Sequence, residues 1–101
     1  MAVEVRKVTK SITAANVFTD PIRIKNASPG EYDRINVSIS GTFVATVTVQ
    51  RSFNGGPFFD VEQFTSPVER IAETFEQGVD WRVGVKPGDF TFGPVEVRLS
   101  F

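Results

Sequence analysis

The chain has 101 residues, eleven basic and twelve acidic side chains, a formal net charge of −1, and neither cysteine nor histidine. A chain of this length typically folds as one domain with a modest core. The missing residue types exclude disulfides, Ser-His-Asp triads, Cys-His pairs and typical zinc sites, and the balanced charge argues against a nucleic-acid partner.

The N-terminal stretch carries no apolar segment of the kind found in secretory signals, and no apolar run approaches the roughly 20 residues of a membrane span. We therefore expect a soluble protein that folds in a cytosol. Val3, Val5 and Val8 predict a first strand, and residues 11–19 are irregular. Residues 1–19 are accordingly predicted to form a strand or arm that can be exchanged with a neighbouring copy.

Two short strands follow, separated by a turn. Ile22 and Ile24 come directly after Asp20-Pro21, where a sheet tolerates proline because it lies at a strand start or edge. Residues 26–30, Asn-Ala-Ser-Pro-Gly, have turn composition. The next strand is clearer, because Ile35, Val37 and Ile39 alternate with polar residues.

Residues 43–64 are predicted to form one β-hairpin. Its first strand alternates apolar and polar residues, with Phe43, Ala45, Val47 and Val49 at the apolar positions. Asn-Gly-Gly at 54–56 tolerates the positive φ angles that a tight reversal requires. Phe59 and Val61 are expected to resume the pattern on the return strand.

Residues 67–77 fit both a short helix and a strand. Ser66, Pro67 and Glu69 resemble a helix start, and the apolar residues that follow have helical spacing. A strand would instead allow residues 59–64 and 81–86 to pair antiparallel through a middle neighbour. Since tertiary context overrides local propensity, we favour the strand.

The C-terminal third predicts two further strands. Trp81, Val83 and Val85 alternate with polar or small residues, and Pro-Gly-Asp at 87–89 then turns the chain. Residues 95–101 alternate in the same way. Seven or eight short strands with regularly spaced turns indicate an all-β, antiparallel β-sandwich, Ig-like or jelly-roll-like, over residues 20–101.

No residue pattern indicates catalysis, a metal or a cofactor. The acidic side chains that could form an acid/base pair are expected on a solvated surface, because a small domain with a filled interior offers little cleft. A calcium site at Asp89 lacks the spacing of an EF-hand loop. The carboxylates considered are Asp60, Glu62, Glu69, Glu73, Glu76, Asp80 and Asp89.

The turn of the hairpin resembles the Asp-box of sialidases and related β-proteins, with asparagine where that motif has aspartate. The motif stabilises a turn and lies far from catalysis, so its role here is structural. Ser52 and Asn54 are expected to hydrogen-bond the turn backbone, and Phe59 to pack beneath it. The turn residues are Ser52, Asn54, Gly55, Gly56 and Phe59.

Four phenylalanines are candidates for a protein interface. Phe58, Phe90 and Phe92 lie beside turns, where core packing does not obviously require them, and Phe18 lies in the irregular N-terminal stretch. The alternative is that they cap the core under the loops. Trp81, in phase with the buried positions of its strand, is predicted to lie in the core, which leaves no tryptophan as a carbohydrate platform.

Three stretches, 47–56, 79–91 and 95–100, together resemble small β-sandwich structural proteins of tailed bacteriophages. The resemblance implies a non-enzymatic virion component, made in the host bacterial cytoplasm, whose partners are capsid or other virion proteins and not nucleic acid or membrane. It also implies a homo-oligomer, with a trimer as one form. A head decoration (cement) protein is favoured; the alternatives are a tail, collar or fibre-associated component, or a carbohydrate-binding module.

Overall fold

A computed structural model describes residues 7–23, 33–74 and 78–100, which form eleven strands and no helix. The strands in chain order are β1 (Lys7–Ile12), β2 (Val17–Phe18), β3 (Ile22–Arg23), β4 (Asp33–Ser40), β5 (Val44–Ala45), β6 (Val47–Phe53), β7 (Phe58–Phe64), β8 (Val68–Thr74), β9 (Val79–Val85), β10 (Phe90–Phe92) and β11 (Val95–Ser100). The predicted all-β fold is confirmed.

The strands form two antiparallel sheets and a small ribbon. The front sheet has the order β1-β11-β4-β8, and the back sheet has the order β2-β9-β6-β7, with β3 also paired to β9. The ribbon consists of β5 and β10. It lies at the end of the sandwich where β6 begins and β9 ends, because β5 directly precedes β6 and β10 follows β9 after one turn.

The strand order is that of a jelly roll. If β2 and β3 count as one interrupted strand and the ribbon is set aside, eight strands remain in the two sheets. They pair first with eighth, second with seventh, third with sixth and fourth with fifth, each pair antiparallel. This nesting is what results when one long hairpin wraps around itself to bury one face.

The core lies between the two sheets and contains the apolar positions of each alternating strand. Trp81, predicted to be buried, is only 1% exposed. Among the described residues, the fourteen buried apolar side chains are Ile12, Ile22, Ile35, Val37, Ile39, Val47, Val49, Val79, Trp81, Val83, Val85, Val95, Val97 and Leu99. Two-residue periodicity therefore identified the central strands correctly.

Residues 7–19 are part of the sandwich. β1 pairs with β11 in the front sheet, and β2 pairs with β9 in the back sheet of the same chain. Val3 and Val5, Ile24 and the turn at 26–30 lie outside the described residues. Exchange of the arm with a neighbouring copy stays a prediction.

Over residues 68–74 the strand interpretation is confirmed, whereas residues 75–77 lie outside the described residues. The reason given for it was wrong, because the neighbour between β7 and β9 is β6, while β8 pairs with β4 in the opposite sheet. A seven-position ladder with β4 outweighs helix propensities of a few tenths of a kcal/mol per residue. The two-residue period leaves Ile71 61% exposed.

The predicted hairpin is shorter and less regular than expected. The first strand of the hairpin is interrupted at Thr46, whose backbone N–H donates to the Asp89 carbonyl at 2.9 Å. As a result, β5 pairs within the ribbon instead of extending β6. On the return strand Val61 is an extra residue, because the register changes between Val49↔Glu62 and Gln50↔Asp60. This bulge takes Val61 out of the predicted apolar face.

Candidate protein-binding surfaces

The outer face of the back sheet carries an arginine held between two phenyl rings. The guanidinium carbon of Arg82 lies 4.3 Å from the ring centre of Phe18 and 3.9 Å from that of Phe58. Arg82 is on β9, Phe18 on edge strand β2 and Phe58 on edge strand β7. We call Phe18, Arg82 and Phe58 the arginine stack; it joins residues from three strands across the sheet.

A series of hydrogen-bonded side chains on the same face holds the guanidinium of Arg82 in place. Arg82 Nε donates to Gln50 Oε1 at 2.8 Å, and Gln50 Nε2 donates to Asp60 Oδ1 at 2.8 Å. Lys86 Nζ completes the chain with a 2.7 Å contact to Asp60 Oδ2. Because Gln50 is buried and bonded at both ends, the orientation of the guanidinium is set before any partner arrives.

The same contacts perturb the titration of the three charged groups. The hydrogen bond from Lys86, followed by that from Gln50, lowers the pKa of Asp60 below its ordinary value. The reciprocal bond raises the pKa of Lys86. Arg82 differs, since desolvation lowers its pKa. Its positive charge is therefore partly removed from water, whereas the charges of Asp60 and Lys86 neutralise each other.

Gly84 provides the space in which Phe18 lies. A Cβ at Gly84 would overlap the Val17 carbonyl oxygen and would come within 2.6 Å of Phe18 Cα and 2.7 Å of Phe18 Cδ2. A side chain at position 84 would therefore push β2 off β9. A glycine inside a strand often marks this kind of close approach.

The hairpin turn has the predicted backbone geometry. Asn54 and Gly55 both have positive φ, 52° and 79°, and Gly56 N–H donates to the Phe53 carbonyl at 2.9 Å, as in a type I′ turn. Ser52 Oγ donates to the Gly56 carbonyl at 2.6 Å. Asn54 contributes its backbone N–H, which bonds the Gly78 carbonyl at 2.8 Å.

Phe59 does not pack beneath the turn as predicted. Phe59 is 54% exposed, and its cross-strand partner is Arg51. Arg51 in turn lies over the ring of Phe53, with its guanidinium carbon 5.0 Å from the ring centre. These three side chains share one face of the hairpin end, because residues 51 and 53 are two apart and Arg51 lies opposite Phe59. We call Phe53 and Phe59 the tip patch.

The remaining two candidate phenylalanines lie on the ribbon and behave differently. Phe90 is half-buried and packs against the core, as the core-cap alternative expected. Phe92 is 55% exposed and pairs with Val44, which is 59% exposed. We call Val44 and Phe92 the ribbon patch. It lies at the opposite end of the sandwich from the hairpin turn, because the ribbon adjoins the start of β6 and the turn follows its end.

The structure thus divides the four phenylalanines predicted to form an interface into one pair that contacts the same arginine and two residues that lie elsewhere. Phe18 and Phe58 come together on Arg82, while Phe90 and Phe92 lie on the ribbon. Sequence analysis missed Arg82 and Gln50, because they occupy polar positions of alternating strands, which are ordinarily solvated. The one signal present was Gly84 in a strand interior, which indicated a close contact at this face.

In residues 7–23, 33–74 and 78–100, no three acidic side chains are grouped so that they could hold a metal ion. Within the described ranges, no helix is long and apolar enough to cross a membrane. No family model, curated protein or solved structure matches this chain.

Proposed function

We propose that this chain is a non-enzymatic structural protein of a bacteriophage virion, and that it acts as a head decoration protein that joins neighbouring capsid subunits. The observation that carries the proposal is the pair of apolar patches at opposite ends of one rigid sandwich. A protein that joins two neighbours needs two separate contact surfaces, and the ribbon patch and the tip patch supply them.

The fold supports this role by analogy. Jelly rolls occur in viral capsid domains, and also in lectins and cupins, so the topology alone does not select the function. The carbohydrate-binding alternative needs an exposed indole or phenol ring. The single tryptophan, Trp81, is buried in the core, and the single tyrosine, Tyr32, lies outside the described residues. No described ring of either kind is exposed, so that alternative receives less support than protein–protein contact.

The test is co-sedimentation of the purified protein with phage heads that lack it, and separately with isolated tails. We expect saturable binding to heads. Replacing Phe92→Ser together with Val44→Ser, or Phe53→Ser together with Phe59→Ser, should weaken binding, because each pair removes one apolar contact. Ile71→Ser is the control, since Ile71 is about as exposed as Val44, Phe59 and Phe92 but lies on the outer face of the front sheet.

Binding to tails and not to heads would move the assignment to the tail-associated alternative. A protein that stays monomeric and binds neither particle would refute the virion role. Equal loss of binding in the Ile71→Ser control would show that apolar exposure in general, and not the two patches, governs the interaction.

A further inference from the structure

In the part of the chain that the structure describes, Arg82 is the charged member of its network that contacts no group of opposite charge. On the outer face of the back sheet, Asp60 is paired with Lys86, and Asp80 with Arg23 at 2.9 Å. Among the described residues, Arg82 makes no ion pair, and its hydrogen bond through Nε goes to a neutral amide oxygen. The guanidinium of Arg82 is therefore in contact with no described carboxylate, whereas Lys86 contacts Asp60 and also has the charge of Asp89 nearby.

The unpaired charge is accessible and oriented. Guanidinium has five N–H donors, and Gln50 takes only the one on Nε. Arg82 is half-buried, and among the described residues no hydrogen bond from its terminal nitrogens is formed, so these donors are left for a ligand. Two flanking rings and the buried Gln50 hold the guanidinium plane in place, which lowers the entropy that a ligand would have to remove.

We infer that the arginine stack is the docking site for a single aspartate or glutamate side chain carried by a segment of a protein partner. A carboxylate matches the two terminal nitrogens in a bidentate geometry and cancels one positive charge. The rings of Phe18 and Phe58 offer apolar flanks for the residues on either side. Arginine is also one of the residue types enriched at the energetic centres of protein interfaces.

The charge balance favours a carboxylate over a phosphate. A phosphate group carries up to two negative charges and is usually held by several cations. Here Lys86 and Arg23 are already bound by carboxylates of the same face, so Arg82 is the one described cation of this network that can bind the ligand. That the partner is a protein of the particle rests on the proposed function; the carboxylate specificity rests on the geometry alone.

The first test uses a small probe and the whole protein. The Nε–Hε resonance of Arg82 is followed by NMR during titration with the capped peptide acetyl-Leu-Glu-Leu-amide, and in parallel with its Leu-Gln-Leu counterpart. We expect a saturable shift at Arg82 with the glutamate peptide and a dissociation constant about tenfold higher, or no saturation, with glutamine. The resonance of Arg98, exposed on the front sheet, should not shift saturably.

Variants assign the shift to the stack. Arg82→Lys keeps the charge but loses the planar fork, so saturable binding should disappear, as seen at the ring resonances of Phe18 and Phe58. Phe58→Leu should weaken binding and keep the fold, which the emission of buried Trp81 reports. Equal shifts with both peptides, or tighter binding of inorganic phosphate than of the glutamate peptide, would overturn the proposal. Self-association that is lost in Arg82→Lys would also overturn it, in favour of a second copy as occupant.

The second test separates this proposal from the proposed function. Co-sedimentation with phage heads is repeated with Arg82→Gln and with Arg98→Gln, which removes the same charge from the opposite sheet. We expect a loss of about tenfold or more in affinity for Arg82→Gln alone. If heads bind both variants like the parent, the docking site is wrong and the virion role stands. If heads do not bind the parent but the peptide does, the virion role is wrong and the carboxylate site stands.

Discussion

Replacing Gly84 by alanine should loosen the edge of the back sheet and release one wall of the arginine stack. The new Cβ would meet backbone atoms of Val17 and Phe18, which cannot rotate away as a flexible side chain could. β2 must therefore move off β9. The hydrogen bond from Thr19 N–H to the Val83 carbonyl, at 2.9 Å, would be strained with it.

The cost can be worked from these contacts. Overpacking in a packed region costs about 1–3 kcal/mol, and each strained backbone hydrogen bond adds roughly 0.5–1.5 kcal/mol. In the opposite direction, replacing glycine by alanine stabilises the fold by about 0.4–1 kcal/mol, because alanine lowers the conformational entropy of the unfolded chain. We expect a net loss of about 2–3 kcal/mol in the free energy of unfolding. For a domain of this size that lowers the urea midpoint by about 1–2 M.

The measurement is urea unfolding followed by Trp81 fluorescence, which is specific because the chain has one tryptophan and it is buried. Gly88→Ala is the matched control. Gly88 has φ of 84° and open space around its Cβ position, so that variant carries only the backbone penalty of about 1 kcal/mol. If Gly84→Ala unfolds at the parent midpoint, or at the midpoint of Gly88→Ala, the close approach of β2 does not contribute as argued.

Three further outcomes are expected. Gly55→Ala should lower the free energy of unfolding by about 1 kcal/mol, because the type I′ turn holds this residue at φ of 79°; an unchanged urea midpoint would contradict this. Thr19→Val should cost about 1–3 kcal/mol in the same assay, because Val83 N–H donates to Thr19 Oγ1 at 3.2 Å in a buried position, whereas Thr19→Ser retains the acceptor and should cost less. The lowered pKa of Asp60, due first to the Lys86 hydrogen bond, means that the contribution of this carboxylate to stability is present above its ordinary pKa of 3.8 and is lost as the pH falls through the lowered value. Asp60→Asn should therefore have a lower free energy of unfolding than the parent at neutral pH, and the difference between the two proteins should shrink as the pH falls below the ordinary pKa of Asp60. If the difference in unfolding free energy does not depend on pH, the Lys86 pair is not its source.

The central strands were predictable because their burial is one-sided. Ile35, Val37 and Ile39, and likewise Val83 and Val85, face the core at every second position and alternate with side chains that do not. That periodicity is a local property of the chain, and it survives any arrangement of the sheets. The Asn-Gly turn was predictable for the same reason, since only the two central residues must adopt positive φ.

Local sequence signals were misleading where pairing with another strand decides the outcome, even though the strand at 68–74 was predicted correctly. Ser66 and Pro67 favour a helix start by local chemistry, yet β4 captures the following residues through a seven-position ladder. Phe59 has the composition of a core residue, but it lies at the end of the hairpin opposite Arg51, and the bulge at Val61 separates it from the regular part of the strand. Neither outcome follows from neighbours in sequence, because residues 68–74 pair with the distant strand β4, and the bulge at Val61 arises from the pairing of β7 with β6.

The sequence by itself determined the all-β class, the buried positions of the central strands and the reversal at residues 54–56, because each depends on spacing over a few residues. Only the tertiary structure decided the jelly-roll order and the arginine stack. Phe18, Phe58 and Arg82 belong to strands β2, β7 and β9, respectively. They meet because strand pairing gives the order β2-β9-β6-β7, and because all three side chains lie on the outer face of this sheet. A charge left without a partner is a property of that packing, and no local pattern in the chain encodes it.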